Sequence, residues 1–334
     1  MLWLIPRLFP DPRLLEVAAH GLTLPGLQAL LARGTPTAET ATGTEAALAR
    51  ALGIGRQQDW PLAPITLEAD GGTAGEDYWL RADPVHLHLM RDRIVLAGLP
   101  LTDLMQADAD QLTRDISRHF GQDFPLEAPH PERWYLRFPL PLQLSTTSPS
   151  LAAGCAIDTV MPQGKDAAAL RVRLNEIQML LHDHPVNQAR EARGALPVNS
   201  LWLWGGGVLP PPPDKPVPPV YARSEIAHAI ARHSSAETTV LPAALSPDVL
   251  GRPGVLLLDA LDMPAAFGDM LGWREALRQL ENHWFAPLVK ALPKLGRQGV
   301  HLLDPVSGRG VMLHRLDALK FWRRPKALAS GLGE

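Results

Sequence analysis

The densest polar chemistry in the chain runs through Asn175, Glu176, Gln178, His182, Asp183, His184, Asn187 and Arg190. On a helix, Asn175, Gln178 and His182 fall three and four residues apart and share a face, where amide and imidazole groups can hold a hydroxyl or phosphate oxygen. Arg190 adds a planar donor pair suited to an oxyanion. The same residues also suit a capped helix end, whose polar groups close a turn before Pro185. His182 and His184 stand only two residues apart, too little by itself for a metal site. Further along, Gly205-Gly206-Gly207 follows a strand-like run. Bare amides there can cradle an anion, or can let the backbone turn sharply toward the prolines beyond. Neither Gly-x-Gly-x-x-Gly nor a Walker lysine with serine or threonine is present, so nucleotide binding has no positive support.

These groups need a frame, and the apolar spacing supplies one. Helices are expected over 14–20, 27–33 and 44–52, the third capped and charged at its start by Thr44 and Glu45. Residues 78–82 and 85–90 read as extended, with Arg91-Asp92 turning the chain into a hairpin partner at 93–97. Helical spacing returns over 102–120, and 133–138 is strand-like. The clearest helix begins at Asp166 as its cap and carries Leu170, Leu174, Ile177, Leu180 and Leu181 as one apolar stripe. A second helical piece spans 186–193. The run 199–204 reads as a buried strand, with Trp202 and Trp204 on one face as core residues, and Trp273, Trp284 and Trp322 as further packing residues. A helix near 224–233, a strand at 254–259 apolar enough to be buried on both faces, a long helical stretch over 267–292 and a hairpin of 300–304 with 311–314 complete the pattern. Strands alternating with helices predict an α/β protein: a layered, mostly parallel sheet with helices on both faces. Residues 1–60 and 151–334 are expected to build it, with 61–150 as a smaller inserted α+β region.

The 334 residues include 35 acidic and 32 basic side chains, a formal charge of -3, so no global field draws the chain to nucleic acid or an anionic bilayer. Neither is expected as a partner. Lys320, Arg323, Arg324 and Lys326 read as a small solvated basic face. No apolar run reaches the length of a membrane-spanning helix without a charge or a proline. The single cysteine, Cys155, fits a reducing compartment, and cytoplasm is the expected location.

In its order of motifs the chain resembles the cofactor-independent phosphoglycerate mutases of the alkaline phosphatase superfamily. Residues 25–34 are similar to the family's early helix, and Thr42-Gly43-Thr44-Glu45-Ala46-Ala47-Leu48 to its nucleophile segment. Leu80-Arg81-Ala82-Asp83 followed by Arg91-Asp92-Arg93 is similar to its paired arginine and aspartate motifs, and His184-Pro185-Val186-Asn187 onward to the segment entering its substrate-binding strand. The stretch from Asn175 to Gly207 further resembles a group of uncharacterised bacterial proteins labelled phosphoglycerate mutase-like or pathogenicity-factor regulators.

The resemblance implies an alkaline phosphatase-like core and, in active members, two divalent metals held by aspartates and histidines. Ile5-Pro6-Arg7 stands where an Asp-Gly ligand would be expected, and Asp259, Asp262 and Asp304 are possible relics without histidine partners. The expectation is a catalytically degenerate protein without cofactor, Thr44 marking a vestigial nucleophile position. Its role would be binding or regulation, through a small anionic or phosphorylated ligand or a protein partner. The ligand residues would be Arg81, Asp83, Arg93, His182, His184, Asn187, Arg190, Asn199 and Gly206. Two alternatives stand beside it. One is an active enzyme: a Mn- or Mg-dependent phosphotransferase with a rearranged site, or a metal-independent hydrolase using Thr44 or the His182 and His184 region. The other is an interaction protein docking through the polyproline segment 210–219.

Overall fold

The computed structural model describes residues 1–10, 20–90, 93–98, 101, 103–121 and 124–324. In chain order the strands are β1 (Leu2–Leu4), β2 (Thr35–Ala38), β3 (Tyr78–Leu89), β4 (Ile94–Gly98), β5 (Leu126–His130), β6 (Arg133–Phe138), β7 (Ser200–Val208), β8 (Val220–Ala222), β9 (Thr238–Val240), β10 (Val255–Leu257), β11 (Val300–Leu303) and β12 (Arg309–Leu313). They fall into two compact units, Met1–Gly53 with Asp214–Glu334, and Ile54–Pro213.

The first unit is built on a seven-stranded sheet ordered β2-β12-β11-β1-β10-β8-β9. From β11 through β9 every neighbour runs parallel, and β12 alone runs against the sheet, antiparallel to both β11 and β2. Alternation along these strands explains why helices cover both faces. Trp3, Leu256 and Leu302 stand in register and join the core beneath the Pro25–Arg33 and Met270–Leu280 helices, while Leu4, Leu257 and Leu303 are buried on the opposite face. There the Thr44–Ala51 helix meets β1, and the Glu225–His233 helix meets β8. The expected long helix is Met270–Leu280, carried by a wider turn at Glu281–Phe285 into Ala286–Ala291. The helix expected over 14–20 lies outside the described residues except for its last position.

The second unit is an antiparallel sheet centred on β3, which pairs with β4, β6 and β7, with β5 beyond β6. Tyr78, Leu80 and Ala82 face one core, where the Gln106–Phe120 and Ala167–His182 helices contribute Leu112, Ile116, Leu170, Leu174 and Ile177. On the other face Trp79 meets Tyr135, Ala63 and Leu67, the latter two from the Leu62–Ala69 helix.

Several expectations need correction. The smaller unit runs to Pro213 rather than ending at 150, because the Ala167–His182 stripe and β7 pack on β3 instead of on the parallel sheet. Strand β3 is continuous through Asp83 and Pro84. Gly205-Gly206-Gly207 does not turn: all three lie within β7, Gly207 paired to Trp79 of β3 and Gly205 and Gly206 at a register shift in that pairing. A Cβ on Gly207 would overlap Pro61, so the glycines serve the close approach of the segment leading into the Leu62–Ala69 helix. Thr44 is the first helical residue after Gly43 and not the cap. Asp166 does not cap its helix by side chain either, since it accepts the N–H of Gln143 at 2.7 Å.

Candidate functional site

In an open parallel sheet, the loops after the strand carboxyl ends are where ligands are usually held. Four of the marked residues gather at that edge of the first unit. Asp304 follows β11, Asp259 and Asp262 follow β10, and Thr44 begins a helix whose preceding Thr42 and Gly43 donate N–H groups to the Pro305 carbonyl, each at 3.1 Å. Sequence reading missed three further charges there: Arg7 as a participant, Glu45, and Arg223 after β8. The signal available for Arg7 was its place in Ile5-Pro6-Arg7, where the resemblance expects a metal ligand.

Asp304 is fully buried, and its carboxylate is saturated. Oδ1 accepts the N–H groups of Arg7 at 2.9 Å and Val306 at 3.0 Å, while Oδ2 accepts the Phe9 N–H at 3.0 Å and the Ser307 hydroxyl at 2.8 Å. Two strong donors per oxygen fill the lone-pair positions that a metal ion would need. Burial pushes the Asp304 pKa up, and these donors oppose that shift. The clamp holds the turn after β1, where Arg7 takes a left-handed φ of 57°, a conformation that suits glycine better than arginine.

Asp262 is held by that same arginine, with Arg7 Nε at 2.8 Å from Oδ1. Its pKa is pushed up to about 6, first by burial and then by the nearby charges of Glu45 and Asp259, against the opposing pull of Arg7. Asp259 is raised by burial as well, moderated by Arg223. Among the described residues, no three His, Cys, Asp or Glu side chains are grouped to hold a metal ion. The donor set therefore does not fit the two-metal centre that the resemblance implies: one carboxylate is spent on backbone, and another faces a guanidinium.

A pH prediction follows from Asp262. Its folded pKa of about 6 lies above the ordinary carboxylate value of 3.8, so the folded state holds a proton that the unfolded chain releases first. Its contribution is greatest below the lower value and declines as pH rises toward the higher one. Relative to an Asp262→Asn variant, the wild-type chain should lose about 2–3 kcal/mol of stability across that interval. Urea unfolding of both proteins across this pH range checks it; parallel pH profiles would contradict it.

The residues marked in the second unit serve its own packing. Arg81 and Asp83, alternate positions on one face of β3, form an ion pair at 2.7 Å, and both are only 2% exposed. Trp204 Nε1 donates to Asp83 at 2.7 Å, and Arg81 donates to Thr66 at 3.2 Å. His184 caps the Pro185–Ala192 helix and lies 3.2 Å from Asp115. Asn187 ties the carbonyls of Leu181 and Val198 together, at 2.8 and 2.7 Å. Arg190 is fully buried and donates to the Leu196 carbonyl at 2.9 Å and to Asp103 at 2.8 Å. Asn199 brackets Leu87 on β3, accepting its N–H at 2.7 Å and donating to its carbonyl at 2.8 Å. At Gly206 a Cβ would collide with the Tyr78 hydroxyl. Arg93 is exposed beside β4, and the His182 side chain is 82% exposed. Of these nine positions, seven are engaged in local packing or pairing and two, Arg93 and His182, are exposed. Asn175, Gln178 and Asn199 do line one cavity of about 290 Å³, which contains no basic side chain to hold an anion.

No model of a known protein family matches the chain. A segment of 67 residues is 39% identical to the 2,3-bisphosphoglycerate-independent phosphoglycerate mutase of Methanothrix thermoacetophila, covering 20% of this chain and 17% of that enzyme. The corresponding enzyme of Methanosarcina mazei is 38% identical over 64 residues, 19% of this chain and 16% of its own. The probable enzyme of Geobacter sulfurreducens is 34% identical over 67 residues, 20% of this chain and 17% of its own. The match thus spans about a sixth of the length of these curated relatives. Among solved structures, the cofactor-independent phosphoglycerate mutase of Thermoplasma acidophilum aligns over 100% of this chain and 94% of its own, with a TM-score of 0.43 and 18% identity. A protein of Pyrococcus horikoshii aligns over 98% of this chain and 91% of its own, with a TM-score of 0.46 and 16% identity. The curated relatives carry the same family name as the resemblance read from the motifs.

Proposed function

We propose that this chain is a phosphoglycerate mutase-like protein that acts by binding or regulation rather than by phosphoryl transfer. One observation carries the reading. At the sheet edge where the resemblance puts metal ligands, the carboxylates serve the fold, Asp304 clamping the turn after β1 and Asp262 holding the Arg7 guanidinium. A bimetallic phosphomutase stabilises its transition state with metal charge, and Thr44 without that charge is an ordinary, weakly nucleophilic hydroxyl. The second unit supports the same reading, since Arg81 and Asp83 are buried against each other. A small phosphorylated or anionic ligand remains the first class to test, with Arg7 and Arg223 as the cations at the edge.

The second reading, a Mn- or Mg-dependent phosphotransferase with a rearranged site, draws on the gathering of Thr44, Asp259, Asp262 and Asp304 at one end of the sheet. Assay of the full chain with 3-phosphoglycerate and p-nitrophenyl phosphate, with Mn2+ or Mg2+, separates the two. We expect no turnover above a heat-treated control. Turnover abolished by Thr44→Ala would overturn the binding reading. The polyproline segment 210–219 contains the boundary between the units and forms neither helix nor strand.

A further inference from the structure

The last described residues of the first unit form a short segment where aromatic, aliphatic and cationic side chains are held outward together. After β12, the turn Arg315–Leu319 opens with a reciprocal cap: Asp317 accepts the His314 N–H at 2.7 Å and also pairs with Lys320 at 2.6 Å. Lys320 then donates to the carbonyl of Arg33 at 3.2 Å, and Arg323 to that of Ala32 at 3.1 Å. Both carbonyls lie at the end of the Pro25–Arg33 helix, so the segment is tied back to a buried element and does not hang free.

On this tethered frame Leu316 is 62% exposed, Leu319 61%, Phe321 75% and Trp322 67%. Residues three apart in a turn of this kind are eclipsed, so the two leucines share one side, and the Phe321 and Trp322 rings meet edge to face at 5.6 Å. Trp322, expected from the sequence to pack in the core, instead stands in solvent. Exposures this high describe side chains that project, where a groove would partly cover them. Around them stand Arg315, Lys320, Arg323 and Arg324, and the only carboxylate between 314 and 324 is Asp317, which is buried and already paired. Four cations against one carboxylate make a local charge of opposite sign to the chain's -3.

We propose that this segment is a peripheral docking surface for an anionic phospholipid bilayer. Projecting tryptophan, phenylalanine and leucine suit the interfacial layer of a membrane, where one part of each ring is apolar and the other wet, and the flanking arginines meet lipid phosphates. A convex apolar projection offers no concave seat for a peptide, which favours the bilayer over an acidic protein segment. The whole-chain charge points away from membranes only because it averages over this patch.

Co-sedimentation of the full chain with phosphatidylcholine vesicles, with and without about one-third phosphatidylglycerol, tests the proposal. Binding is expected to the anionic vesicles only, and to fall as salt rises. Arg315→Glu with Arg324→Glu should weaken it by roughly a hundredfold or more, since each charge near such a surface is worth about fivefold. Phe321→Ser with Trp322→Ser should weaken it by about tenfold or more. All four positions are exposed, so unchanged thermal unfolding of each variant confirms that the fold is intact. Absence of binding to anionic vesicles, equal binding to neutral ones, or binding untouched by both double variants would overturn it. So would self-association of the wild-type chain that Phe321→Ser with Trp322→Ser abolishes while vesicles leave it unaffected.

Discussion

Arg81→Met is expected to lower the unfolding free energy of the chain by about 3–5 kcal/mol, the cost of leaving a buried carboxylate without its cation. Asp83 is as deeply buried as Arg81, and its pKa is raised by that burial, with Arg81 and the Trp204 N–H opposing the shift. Removal of the guanidinium leaves burial without its main counterweight, so Asp83 must take up a proton or draw in water. Two aromatic rings also lose a cation, since the guanidinium carbon sits 5.1 Å from the Tyr135 centroid and 5.2 Å from that of Trp204. Adding Asp83→Asn should restore much of the loss, because the amide oxygen still accepts from Trp204 and no charge remains to be compensated. Urea unfolding of the two single variants and the double variant gives the coupling energy. A loss below about 1 kcal/mol for Arg81→Met would mean that solvent reaches the pair and that it is a surface bridge.

Asp304→Asn is the second large effect. The carboxylate accepts from five donors, whereas an amide offers one acceptor oxygen and presents N–H groups to the remaining donors. Two buried donors would lose their partner, at about 1–3 kcal/mol each, for a total near 3 kcal/mol or more. The turn that carries Arg7 depends on the same bonds, so its hold on Asp262 should loosen too. The loss is expected to be the same with and without a chelator. A wild-type chain that is itself destabilised by chelation to the level of the variant would instead identify Asp304 as a metal ligand.

The parallel sheet was legible because 254–259 is an apolar run too continuous for a strand with a wet face, and the antiparallel β11–β12 pair because a turn containing proline and two glycines joins 300–304 to 311–314. Asp259, Asp262 and Asp304 were marked through the family resemblance, as possible metal-ligand relics; the sheet is what gathers them, since each follows one of its strands. The second unit misled in a consistent way. Arg81 and Asp83 read as ligand groups through the resemblance to the family's arginine and aspartate motifs; the approach of the Leu62–Ala69 helix, Tyr135 and Trp204 buries them as a pair, and that is tertiary information. The triple glycine reads as a turn by local preference, while its use is close packing against Pro61. The boundary expected at residue 150 falls inside one unit, because Asp59 accepts the Thr146 N–H at 2.9 Å and Ser145 exchanges backbone bonds with Gln163. The exposure of Trp322 had no sequence signal, since tryptophan is usually buried in part.

A titration of Mn2+ into the full-length chain near neutral pH, followed by electron paramagnetic resonance, tests most directly whether the carboxylates after β10 and β11 serve the fold instead of holding metal. The free-ion signal is predicted to track added Mn2+ with no saturable loss, in wild type and in Asp262→Asn alike. Two ions taken up per chain, with uptake abolished by Asp262→Asn, would contradict it.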